Sequence, residues 1–139
     1  MTRCRLRAMT LLTALTVLSA TMIGCSAVAS RECVPRIAVL PETPQPGQIV
    51  EVTTTSACPV QIGADDRFAV RIRPDDSSVP IAQAFVTPDE DGAFRVSIQV
   101  PSTMGPGSAV ATIENYWDLI DCPAADGCPV PATVFEVRS

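Results

Sequence analysis

From Phe94 to Val100 every second residue is apolar, Phe94, Val96, Ile98 and Val100, with Arg95, Ser97 and Gln99 between them and Pro101 ending the run. A period of two places the first set on one face of an extended chain and the second on the other, so one face enters a core and the other stays wet. On a helix the same four apolar residues would be scattered around the cylinder. The segment is therefore a strand, entered through the turn Pro88-Asp89-Glu90-Asp91-Gly92 and closed by a proline that cannot donate to a ladder.

The rest of the chain beyond residue 34 obeys the same grammar. Arg36–Leu40 reads as a first strand, stopped by three prolines and a glycine between Pro41 and Gly47. Gln48–Ser56, rich in valine and threonine, is the second, with Val50 and Val52 on its buried face. Phe68, Val70 and Ile72 alternate with Ala69, Arg71 and Arg73 in a third strand, and Val79–Val86 is a fourth in which Pro80 indicates an edge. After Phe94–Val100, the turn Met104-Gly105-Pro106-Gly107 leads to a sixth strand, Ser108–Trp117. A long connection over residues 118–130 precedes the last, Ala132–Val137. Seven short strands, no convincing helix after the leader, and proline or glycine at most corners predict an all-β, seven-stranded antiparallel sandwich.

The stretch Asp91-Gly92-x-Phe94-x-Val96-x-Ile98-x-Val100-Pro101, preceded by a Pro46-Gly47 turn into a Val/Thr strand, resembles bacterial immunoglobulin-like or fibronectin type III-like modules. The resemblance covers most of residues 34–138 and assigns 34–139 to one immunoglobulin-like β-sandwich domain. It departs from antibody domains in having no mid-strand cysteine pair and no tryptophan in the third strand. It implies a binding or spacer module rather than an enzyme, and no specificity, because sites are grafted onto folds.

Ahead of the domain, Arg3, Arg5 and Arg7 precede an uncharged apolar and small-residue stretch, Ala8–Ile23, which has the pattern of a secretion signal and falls short of a membrane span. It closes on Met22-Ile23-Gly24-Cys25, which resembles the lipobox of bacterial lipoproteins. That resemblance implies a signal peptide over residues 1–24, cleavage before Cys25, acylation of Cys25, and a lipidated tether over residues 25–33. The protein would then sit on the extracytoplasmic face of the cell membrane, with membrane lipid its first partner. A rival site, Ala27-Val28-Ala29, would release a secreted protein beginning at Ser30. Cys4 belongs to the leader and is set aside with it.

Removing residues 1–24 from the 139 leaves 115, enough for one core and not two. All fifteen acidic residues lie beyond Cys25 while three of the ten arginines precede it, so the processed chain carries a net charge of −8. Nucleic acid is excluded as an expected partner. The chain contains no histidine, which removes Ser-His-Asp and Cys-His catalysis, imidazole metal sites and the usual general base near neutral pH. Cys33, Cys58, Cys122 and Cys128 are an even set in an exported domain and are expected to form disulfides rather than a metal site. Of three possible pairings, local spacing favours Cys33 with Cys58 and Cys122 with Cys128.

If the strands alternate in direction, all four cysteines fall at one end. Asp65, Asp66, Asp89, Glu90, Asp91, Asp118, Asp121 and Asp126 gather there beside Tyr116 and Trp117. Long loops in small domains are where function concentrates. The candidate binding residues are therefore Tyr116 and Trp117 as aromatic anchors and Asp118 and Asp121 as carboxylates toward a basic partner or Ca²⁺. The opposing expectation is that Trp117 is core and the carboxylates merely keep the loops solvated. No catalytic residues, cofactor or metal are assigned. Two functions remain. One is a non-catalytic surface lipoprotein that binds an envelope protein or cell-wall component; the other is a small secreted, disulfide-stapled inhibitor or immunity-type protein acting through the 118–130 loop.

Overall fold

Seven strands form where the alternation marks them: β1 (Arg36–Leu40), β2 (Ile49–Ser56), β3 (Phe68–Pro74), β4 (Ala82–Val86), β5 (Arg95–Gln99), β6 (Gly107–Ile113) and β7 (Ala132–Val137). The structure, a computed structural model, describes residues 33–79, 81–122 and 127–139. The expected leader over residues 1–24, the expected lipidation site Cys25, the expected tether up to residue 32, Pro80 and Asp126 lie outside the described residues. Two antiparallel sheets result, one ordered β1-β2-β5 and the other β4-β3-β6-β7.

Register explains the core. In the three-stranded sheet Val52 stands opposite both Val39 and Val96, and in the four-stranded sheet Val70 stands opposite Ala84 and Ile113. Val50, Val52, Val70, Ile72, Val100 and Ile113 are fully enclosed, each contributing about 1.5–3 kcal/mol by leaving water. Large and small residues interlock across neighbouring strands: Ala111 lies beside Ile72, and Ala109 beside Phe135. β6 is buried on both faces. Its outward Val110 and Thr112 are set beside Arg73 and Arg71 of β3, with Val134 and Ala132 of β7 on the other side, and long side chains there shield them from water.

Two expected elements are revised. The fourth strand begins at Ala82 rather than Val79, because residues 75–79 are spent on a turn. Arg73 Nη1 holds that turn by donating to the carbonyls of Ser77 at 2.7 Å and Pro74 at 3.2 Å. The sixth strand stops at Ile113 rather than reaching Trp117, and a short helix, α1 (Tyr116–Leu119), follows where none was expected. Asn115 is the cause. Its side chain takes over the β6-facing side at the start of β3, with Oδ1 accepting from Ala69 N at 2.7 Å and Nδ2 donating to the Arg67 carbonyl at 2.9 Å. With the ladder ended in this way, the backbone coils: Ile120 N donates to the Tyr116 carbonyl at 3.0 Å.

The antiparallel pairings place the start of β1, β3, β5 and β7 and the end of β2, β4 and β6 together. That is the end carrying the cysteines. The opposite end is closed by short turns, where Gly47 N donates to the Val100 carbonyl at 2.7 Å and Arg138 N to the Pro44 carbonyl at 2.8 Å.

Candidate functional site: the disulfide-bearing end

Cys33 is bonded to Cys58 and Cys122 to Cys128, the pairing that local spacing favours, with Cα–Cα separations of 5.8 and 5.9 Å. The first bridge ties the approach to β1 to the exit of β2, and Cys58 is buried. Onto it packs the acidic turn between β4 and β5. Gly92 has φ +80°, and a side-chain carbon at that position would collide with the Cys58 carbonyl. Only glycine satisfies both the left-handed backbone and the close approach. Val60 N then donates to the Glu90 carbonyl at 3.3 Å, and the turn is closed by Asp89 Oδ1, which accepts from Ala93 N at 2.8 Å.

A chain of aromatic rings runs out of the core to the same place. Phe94 meets Phe68 edge-on with centroids 5.9 Å apart, Phe68 meets Tyr116 at 5.6 Å, and Tyr116 meets Trp117 edge-on at 4.8 Å. Tyr116 is only 2% exposed, so it offers no side-chain surface to a partner. It is core, and its burial pushes the phenol above its ordinary value by disfavouring the charged form. Trp117 lies between the two expectations: half-buried, packed against the core cluster, and donating through Nε1 to the Pro129 carbonyl at 2.9 Å. That bond pins the segment carrying the Cys122–Cys128 bridge back onto α1.

Asp118 and Asp121 are exposed. Asp121, Glu90 and Asp91 rim a cleft of about 910 Å³ whose floor includes Val60, Leu119 and Ile120, three aliphatic side chains that also pack against the core. Among the described residues no three carboxylate or cysteine side chains come together as a cation would require. Asp66 is engaged in its own turn, Oδ2 accepting from Gly63 N at 2.8 Å, as Asp89 is in the β4–β5 turn. The Ca²⁺ idea thus has no ligand cluster among these residues. What the arrangement offers chemically is an apolar floor with carboxylates around it, suited to a cationic side chain with an aliphatic stem.

Comparison with known proteins does not extend this: no protein-family model matches the chain, and no curated protein aligns with it significantly. Reasoning from sequence missed Asn115, which looked like one more member of an alternating strand. The available signal was Asn followed by Tyr-Trp-Asp, an amide where a strand should keep β-branched residues. It also missed Gly92 as a packing position, having read it only as a turn residue. No segment among the described residues is a helix long and apolar enough to cross a membrane.

Proposed function

We propose that this chain is an exported, lipid-anchored protein whose single immunoglobulin-like or fibronectin type III-like domain is a non-catalytic binding or accessory module of the cell envelope, recognising its partner at the disulfide-bearing end. The observation that carries the reading is the convergence at that end of two disulfides, the half-exposed Trp117 and the carboxylate-rimmed cleft. Disulfides persist in oxidising compartments, which agrees with the leader pattern. The strand order supports the fibronectin-like side of the resemblance: β4 pairs with β3, whereas in constant immunoglobulin domains the fourth strand joins the sheet of the first, second and fifth. The absence of histidine from the chain weighs against the usual acid–base chemistry. Cys25 supplies the anchor, and the seven residues Ser26–Glu32 reach at most about 25 Å, so the anchored end is also the recognition end.

The bridged loop, held by Cys122–Cys128 and by Trp117 on Pro129, keeps a second reading in play, a secreted inhibitor that inserts this loop into a target. Intact mass of the native protein separates the two. A diacylglycerol-sized increment on a chain beginning at Cys25 supports the anchored module, and an unmodified chain beginning at Ser30 supports the secreted inhibitor. Capture of a partner from envelope extracts then tests the site. Binding lost with Trp117→Ala and kept with Asp75→Ala, at the opposite end, supports it; the reverse pattern removes it.

A further inference from the structure

Each sheet of the sandwich has two outer strands, β1 and β5 in one and β4 and β7 in the other. An outer strand presents unpaired backbone donors and acceptors, and proteins ordinarily guard it with charge. β1 carries Arg36, β5 carries Arg95 and β7 carries Glu136, but β4 carries no ionisable residue, and neither does any position from Val79 to Val86. The same short stretch holds Val79, Ile81 and Phe85, which are 64%, 39% and 58% exposed, three of the seven large apolar residues exposed among the described residues. The lack of charge continues around the flank: a cleft of about 450 Å³ between the edges of β4 and β5 is lined by Ile81, Gln83, Ser97, Gln99 and other uncharged residues.

We infer that the edge of β4 is a homotypic interface, at which a second copy of this chain adds its own β4 antiparallel and joins two four-stranded sheets into one of eight. Charge selects the second copy as the occupant. The processed chain is at −8, and its carboxylates crowd both ends of the sandwich and the β7 edge, where a basic partner is attracted and a like copy repelled. A two-fold contact sets one patch against itself, so any charge on the patch meets its own sign. β4 itself carries no charge, and the cation beside it, Arg71, is tied to Gln83 Oε1 at 2.8 Å and to Glu114 at 3.5 Å, so this edge tolerates self-apposition, and a strand edge supplies the backbone bonds that hold it. A two-fold axis through the middle of the strand, at Ala84, sets Gln83 opposite Phe85 of the partner subunit, both on the outer face.

The test is sedimentation of the purified processed protein, in mild detergent, over a wide range of concentration. A monomer-to-dimer transition is expected. The double variant Gln83→Lys with Phe85→Lys, which sets lysine against lysine at both symmetry-related positions, is expected to weaken it by at least about tenfold, and Leu40→Lys on the exposed face of β1 to leave it unchanged. A protein monomeric at every concentration overturns the inference, as does a dimer that survives the double variant. Circular dichroism verifies that the variant folds, and if it does not, Phe85→Lys alone serves, since Phe85 is exposed and stands beside Ala69 rather than a charged residue. Protection of the β4 amides from hydrogen exchange that rises with concentration supports the interface, and protection rising at β7 instead removes it.

Discussion

Cys33–Cys58 joins the approach to β1 with the exit of β2 and seats a buried sulfur beneath the β4–β5 turn, whereas Cys122–Cys128 closes a loop of sequence separation 6 out in the β6–β7 connection. The first is part of how the two sheets are closed at that end. Gly92 lies against its carbonyl, and Val60 extends the contact to Glu90. The second shapes a surface segment and reaches the body of the domain through Trp117 and Pro129. The same covalent bond therefore serves stability in one place and the shape of a candidate recognition loop in the other. Nothing in the two spacings distinguishes these roles; burial does.

The comparison can be broken most forcefully at Gly92. Gly92→Ala brings a side-chain carbon into the Cys58 carbonyl on a left-handed backbone, and a loss of about 4 kcal/mol in denaturant unfolding is expected. A loss below about 1 kcal/mol would mean the turn is not seated on the first bridge. Removing that bridge with Cys33→Ala and Cys58→Ala frees a loop of separation 25 and is expected to cost about 3.5 kcal/mol. Removing the second with Cys122→Ala and Cys128→Ala is expected to cost about 2 kcal/mol by the same loop argument, while the fluorescence of Trp117, the chain's single tryptophan, shifts toward that of an exposed indole. Equal costs for the two removals, with no change in fluorescence, would erase the distinction.

The smallest effect expected is on the alkaline limb. Tyr116 is the single tyrosine, and burial raises its folded-state pKa above the ordinary 10.0. Its contribution to stability is complete below pH 10.0, where both states hold the proton. It is lost as pH rises through the folded-state value, because the unfolded chain ionises first. Tyrosinate absorbance of the native protein should therefore appear only above the pH at which the free phenol titrates. Absorbance rising at the ordinary value, with the fold intact, would place Tyr116 at the surface and restore it as a recognition residue.

Most of the strand content was legible because alternation is a local property. Phe94 to Val100, and Phe68 to Ile72, announce which side chains face inward without reference to any other segment. The cysteine pairing was legible for a related reason, since short separations along the chain limit where sulfurs meet. The sixth strand was overextended because Asn115, Tyr116 and Trp117 continue an acceptable parity. The decision to stop rests on what Asn115 finds across the sheet, the amide of Ala69 and the carbonyl of Arg67. At the candidate site, the gathering of the acidic loops followed from strand direction alone, but the fates of neighbours did not. Tyr116 is enclosed and Trp117 half exposed, and that difference arises from α1.

From its order of residues alone this chain was committed to short extended segments with one wet and one dry face, and to sulfur bridges between near neighbours, because both follow from distances of a few residues. Which sheet β4 joins, which edge is left without charge, and which bridge is buried were decided only by packing between segments tens of residues apart. Backbone pairing is indifferent to sequence separation. It is the volume left between the two sheets that selects among the possible partners.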